Sequence, residues 1–188
     1  LSFVRSEING AKVSDVKSDP GGGPNTTSQH FQPAGDDAHP LPGDYVATSA
    51  AAGTGRETAV GYLDPANAQK AGPGEKRLYA RSVGGSQVCE VWLKADGSIL
   101  IQNDTGSTVL NPDGSVVTTN EGGAITFGAD GSFTVTNAGG SMALAASGVA
   151  SINGATITED GDFVTSDGVS LRGHKHIGNL GSPTSQPI

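Results

Sequence analysis

A single cysteine, Cys89, stands in this chain, so no intrachain disulfide can staple it. Methionine and tryptophan also occur once each, and aromatics make up only 5% of the residues. From residue 95 to 171 there is no Lys or Arg at all, while nine Asp or Glu lie there. With a net charge of −8 and a pI near 4.8, the chain lacks the basic patch that phosphate neutralisation needs, which excludes a nucleic-acid partner. No apolar run reaches the roughly 18 residues of a membrane-spanning helix, and no signal peptide is present. Helical periodicity is missing throughout, so no helix of ordinary length is expected. A chain opening on Leu1 suggests a trimmed or processed N-terminus.

Large apolar residues are scarce too. Leu, Ile, Val and Phe sum to 38 of 188, close to the fraction at which disorder becomes a fair suspicion. Strict periodicity in the second half argues against disorder. Segments 96–112, 113–129, 130–146 and a fading 147–160 superimpose at a spacing of 17 residues. Asp96, Asp113 and Asp130 fall in register, as do Gly97, Gly114, Gly131 and Gly148, and Asn103, Asn120 and Asn137. A fixed short period marks a stacked, quasi-one-dimensional architecture.

Each unit reads strand, turn, strand, turn. Asp-Gly pairs mark one turn and Asn-x-Gly-like runs the other, because Asp, Asn and Gly tolerate positive φ. Alternation within the strands puts Ile99, Val116, Phe133 and Ala150 on an inward face, followed by Ile101, Thr118, Val135 and Ile152. Thr108, Ile125 and Met142, then Leu110, Phe127 and Leu144, match them on the second strand. One copy of so narrow a stack has a thin core and exposed strand edges. Winding three chains about one axis relieves both, which makes a trimeric β-prism or intertwined β-helix the expected shaft.

The first part differs in composition. Seven of ten prolines lie at or before Pro73 and nine of eleven basic residues at or before Lys94. Strands are expected over Ala11–Lys17, Asp44–Thr48 and Glu57–Leu63, with a long loop from Asp19 to Gly43. Short strands with long loops suit a small OB-like barrel. The expected class is all-β, with an OB-like head over 1–75, a repetitive shaft over 76–172 and an apex over 173–188. A hairpin is expected from Leu78–Ser82 and Gln87–Lys94 around Val83–Ser86. Alternation in the second strand makes Cys89 a small buried hydrophobe.

Chemistry concentrates at the end of the repeats, in Gly173-His174-Lys175-His176-Ile177. In an extended strand His174 and His176 share a face, so one chain supplies two imidazoles. On a three-fold axis two become six, an octahedral nitrogen cage that excludes a tetrahedral structural zinc site and favours iron, nickel or cobalt. Alone, His-x-His reads as an exposed polar turn. Its place at the end of a trimer-compatible shaft reverses that reading. His30 and His39 lack such a setting and are read as surface histidines. No Gly-Lys-Ser/Thr phosphate loop, Gly-x-Ser-x-Gly elbow or calcium nonapeptide occurs, so no enzyme is expected.

The organisation resembles the central spike, or cell-puncturing, proteins of contractile-tailed bacteriophages, of the Mu-like type without a lysozyme domain. The resemblance rests on Glu90–Ser98 leading into the repeats, the Asp-Gly-Ser turns, and Gly173–Ile177. It covers roughly 78–188 well, and 1–77 by domain order alone. It implies an OB-fold head joined to a trimeric β-helix with a needle apex, where His174 and His176 of three chains bind one iron ion. Calcium and chloride near the apex come from the resemblance alone, with Asp160, Asp162 and Asp167 the nearest carboxylates. It further implies a virion protein at the baseplate tip, a hub protein bound by the head, and the host outer membrane as target. Two rivals stand beside it: a trimeric tail-fibre or adhesin tip binding a receptor or glycan, and a polysaccharide-degrading enzyme on a β-helical scaffold. The adhesin needs exposed aromatics, and only Phe127, Phe133 and Phe163 stand in the shaft beyond Trp92. The enzyme needs clustered acids or bases in a groove.

Overall fold

A computed structural model describes residues 2–9, 14–50, 57–177, 181 and 183; among them every element is a β-strand and no helix occurs. The strands fall into two units, residues 1–70 with 81–87, and residues 71–80 with 88–188.

The first unit is a closed five-stranded barrel of order β1-β2-β3-β5-β4, formed by Ser2–Asn9, Ser14–Asp19, Thr26–His30, Glu57–Leu63 and Tyr45–Ala50 in that order. β3 runs parallel to β5, and Ser2↔Val46 and Phe3↔Tyr45 close the barrel between β1 and β4. Irregularities between Val4 and Ser6 and between Ala47 and Thr48 bend the strands, as barrel closure requires. The interior is small: Val4, Val16, Val46 and Ala59, with Tyr62 packed against them. Ser18 and Ser28 are buried beside this core and stay satisfied, Ser18 with Thr26 at 3.0 Å and Ser28 donating to Glu57 at 3.3 Å. Two expected strands match β4 and β5, and the third shifts to Ser14–Asp19; residues 11–13 of that expectation lie outside the described residues. β1 was not anticipated. Nor was β3, whose Thr26–His30 falls inside the expected loop. A polar pentapeptide gives no hydrophobic alternation, and its place is set by pairing with β2 and β5.

Buried charge fastens residues 81–87 to this unit. Arg81 grips Asp44 through both guanidinium nitrogens and reaches Asp64 at 3.3 Å. The Asn67 amide donates to Gly85 O at 2.8 Å.

The second unit is an eleven-stranded sheet whose spatial order is its sequence order, β6 to β16. At its start, Glu90 on β7 (Gln87–Leu93) is buried and bound by Arg77 of β6 (Lys76–Arg81) and by Gln102. Arg77 also lies over the Tyr79 ring at 4.8 Å and the Trp92 ring at 5.8 Å. Glu75 accepts from Trp92 Nε1 at 3.0 Å and Ala95 N at 3.2 Å. The acids of Glu75 and Glu90 therefore shape the start of the shaft.

β8 (Ile99–Asn103), β9 (Gly106–Leu110), β10 (Val116–Asn120), β11 (Gly123–Phe127), β12 (Phe133–Asn137) and β13 (Gly140–Leu144) have five residues each. β14 (Ala150–Ile152) and β15 (Ala155–Ile157) have three, and β16 (Phe163–Val164) has two. The turn glycines track this contraction. Gly97, Gly114, Gly131, Gly148, Gly161 and Gly168, all with φ between 80° and 94°, stand 17, 17, 17, 13 and 7 residues apart. The strict repeat thus ends at Gly148, and each later hairpin is shorter.

Antiparallel pairing places the expected inward residues together. Leu93, Ile99, Leu110, Val116, Phe127, Phe133, Leu144, Ala150, Ile157 and Phe163 are successive cross-strand partners on one face of β7 to β16. Within one chain this row is partly open to solvent: Phe127 is 54% and Leu144 45% exposed, whereas Ile99, Val116, Phe133 and Ala150 are half-buried. Cys89 belongs to the same face as Val91 and Leu93, so it is exposed in the single chain, which corrects the expectation of a buried thiol. The opposite face starts apolar, at Trp92, Leu100, Val109 and Val117, and from Thr126 onward is mostly Thr and Ser, interrupted by Ala143 and Val164.

Candidate metal centre

The last hairpin sets the stage for His174. Val164 bridges Ser170 across the turn at Gly168, and Leu171 N donates to Phe163 O at 2.9 Å. No strand continues beyond this point among the described residues; the chain turns over 171–173, and His174 N donates to Ser170 O at 3.0 Å. His174 and His176 are therefore not on a regular strand, contrary to the expectation, yet their rings meet edge to face at a centroid distance of 5.0 Å. Ile177 then bridges Pro183.

His174 is half-buried and its tautomer follows from its neighbours. Nδ1 lies 2.9 Å from Ser170 O and 3.1 Å from Leu171 O. A carbonyl only accepts, so Nδ1 carries the hydrogen and Nε2 is the nitrogen left to ligate. Two imidazoles bound cis to one ion, with metal–nitrogen bonds near 2.1 Å, hold their centroids about 4.5 Å apart. The observed separation of 5.0 Å is close to that value. Among the described residues no three His, Cys, Asp or Glu side chains converge, and His174 and His176 are the two candidate donors that stand together here.

The neighbouring carboxylates are engaged in their own turns. Asp160 accepts from Thr158 and pairs with Arg172 Nη1 at 3.1 Å. Asp162 accepts from the Ser170 hydroxyl and, at 3.0 Å, from Arg172 N. The Ser170 hydroxyl, helped by the Arg172 contacts and against desolvation and the Asp160 charge, holds the Asp162 carboxyl below its ordinary range. A hydrogen bond with Thr165 similarly lowers Asp167. His30 and His39 stand apart from this site, His30 against Tyr62 with centroids 4.8 Å apart and His39 Nε2 3.1 Å from Asp37.

Ser170, the Leu171 carbonyl and the role of Asp162 escaped the reading of the sequence. One signal pointed to them. In the strict repeats Ser follows each Asp-Gly pair, whereas Asp160-Gly161 is followed by Asp162. Neither a family model nor a curated protein matches this chain.

Proposed function

We propose that three copies of this chain wind their shafts together into a non-enzymatic spike that pierces the host outer membrane from the tip of a contractile-tail baseplate. The observation that carries this reading is the apolar row of ten side chains from Leu93 to Phe163, six of them exposed and four half-buried in one chain, a face that calls for a partner. Three such rows facing a common axis form a core that one narrow sheet lacks. A strand order of β1-β2-β3-β5-β4 with β3 parallel to β5 supports an OB-like head, which docks on the baseplate hub. Strands shrinking from five residues to two support a narrowing tip.

His174 and His176 from three chains hold one iron ion at the apex. Bound there, the metal ties together three chain ends that otherwise fray, and its binding free energy adds to folding. Calcium or chloride near the apex follows from family resemblance alone. Contraction of the tail supplies force, and the stiff interchain ladder carries it to the point. Acidic residues without intervening Lys or Arg keep the shaft soluble.

The Phe127–Phe133 pair, with centroids 5.1 Å apart, Phe127 exposed and Phe133 half-buried, is the feature that favours an adhesin tip. The spike reading buries it. The test is the double variant His174→Ala with His176→Ala: metal is lost, the tip loosens and the shaft stays trimeric. A monomeric double variant would contradict repeats that hold the trimer together by themselves.

A further inference from the structure

We propose that Asp162 and Ser170 are positioning residues that present the Nε2 nitrogen of His174 to a transition metal; the metal half of this inference rests on the function proposed above. Neither side chain touches the imidazole. They act through the turn that carries it.

Ser170 bridges Val164 and Leu171 N donates to Phe163 O, but residues 172 and 173 make no strand pairs, so the turn that carries His174 needs a further anchor. Asp162 provides it. One carboxylate oxygen accepts the Ser170 hydroxyl and the other accepts Arg172 N at 3.0 Å. The Ser170 oxygen in turn accepts Gly173 N at 2.7 Å. Asp162 is itself tied down: its N donates to Thr158 Oγ1 at 3.0 Å, and its carbonyl accepts Thr158 N at 2.9 Å. Arg172 lies along Asp160, with contacts at 3.1 Å to the carboxylate and 3.0 Å to the carbonyl. The chain of contacts runs from the β15–β16 turn through Asp162 and Ser170 to the carbonyls of Ser170 and Leu171, and from them to Nδ1. Partners one shell out fix a ligand imidazole's tautomer and angle in this way, and losing them weakens metal affinity about 10–100-fold.

Two readouts on the full-length chain separate positioning from metal binding. The first is the His174 tautomer without metal, read from its ring nitrogen shifts by NMR. The second is the cobalt(II) dissociation constant. Expected for Asp162→Ala and Ser170→Ala is a His174 that loses its uniform Nδ1–H form, with cobalt held about 10–100-fold more weakly at unchanged stoichiometry. Ser170→Thr, which keeps the hydroxyl, restores both. If Asp162→Ala fails to fold, Ser170→Ala and its threonine rescue decide alone. A variant that folds, keeps the Nδ1–H form and binds cobalt as tightly as the unmutated chain overturns the proposal. An unmutated chain that binds no cobalt overturns the metal half, while the tautomer comparison still decides whether Asp162 and Ser170 set the ring.

Discussion

The Asp-Gly-Ser triplets show how one residue's chemistry becomes a repeated turn. At Lys94–Ser98 the chain makes a type I turn closed by Gly97 N to Lys94 O at 3.1 Å, and the glycine adopts φ 88°. The Asp96 carboxylate accepts both Ser98 N at 2.8 Å and Ser98 Oγ at 2.7 Å, pinning the chain as it re-enters the strand. Asp113 repeats both bonds with Ser115, and Asp130 accepts Ser132 N at 2.9 Å. These carboxyls lie below their ordinary range, chiefly through the hydroxyls of Ser98 and Ser132 and the backbone N–H of Ser115. Their unfolded value is about 3.9, so the folded form is favoured above roughly pH 4, and that contribution is lost as pH falls through the lower folded values. The triple variant Asp96→Asn, Asp113→Asn, Asp130→Asn should flatten the fall in melting temperature between neutral and acid pH. An acid limb unchanged in the variant would remove these carboxylates from the account. The turns were legible in the sequence because every partner lies within four residues. The Asp162–Ser170 contact spans a hairpin and was not.

At the scale of the element, close approach between neighbouring hairpins decides where glycine is required. A Cβ on Gly123 would stand 2.1 Å from the carbonyl oxygen of Thr136, which is backbone and cannot move aside. A Cβ on Gly140 would stand 1.8 Å from Asn153 Oδ1, the end of a side chain that can swing away. That swing gives up the bond from Ser141 N, 2.8 Å long, worth about 1 kcal/mol. The two glycines have similar φ, 159° and 154°, so the comparison isolates the clash. Gly123→Ala should cost about 2–3 kcal/mol in denaturant unfolding and Gly140→Ala less; the reverse order would show that the inter-hairpin approach is looser than drawn. Strand positions in the repeats were readable because period-two alternation and turn residues agree there. In the barrel they were less so, since Thr26–His30 pairs by backbone alone and the core contains only four buried hydrophobics among the described residues. The shortening after Gly148 was visible as a fading repeat but not as a contraction, because the later turns keep glycine while changing its neighbours.

For the whole molecule, the decisive feature is an apolar face left partly uncovered among the described residues. Facing rows of Leu, Ile, Val and Phe give the dominant drive for association. A charge placed on that face must be buried unpaired, at a cost of several kcal/mol. Leu144→Asp should therefore dissociate the assembly in sedimentation, while Thr134→Asp, in the polar stretch of the opposite face, leaves it intact. Equal behaviour of the two would show that the apolar row is not the contact. That these residues share one face was legible from alternation alone; that much of this face is solvent-exposed in one chain follows only from the strand pairing, which places no second layer over it among the described residues. Cys89 was misjudged for the same reason.

The most direct measurement combines sedimentation equilibrium with elemental analysis on the same purified full-length sample. The account predicts a particle of three times the 18.7 kDa chain mass carrying one metal ion, and therefore one metal per three chains. One metal per chain, or a metal-loaded monomer, would contradict it.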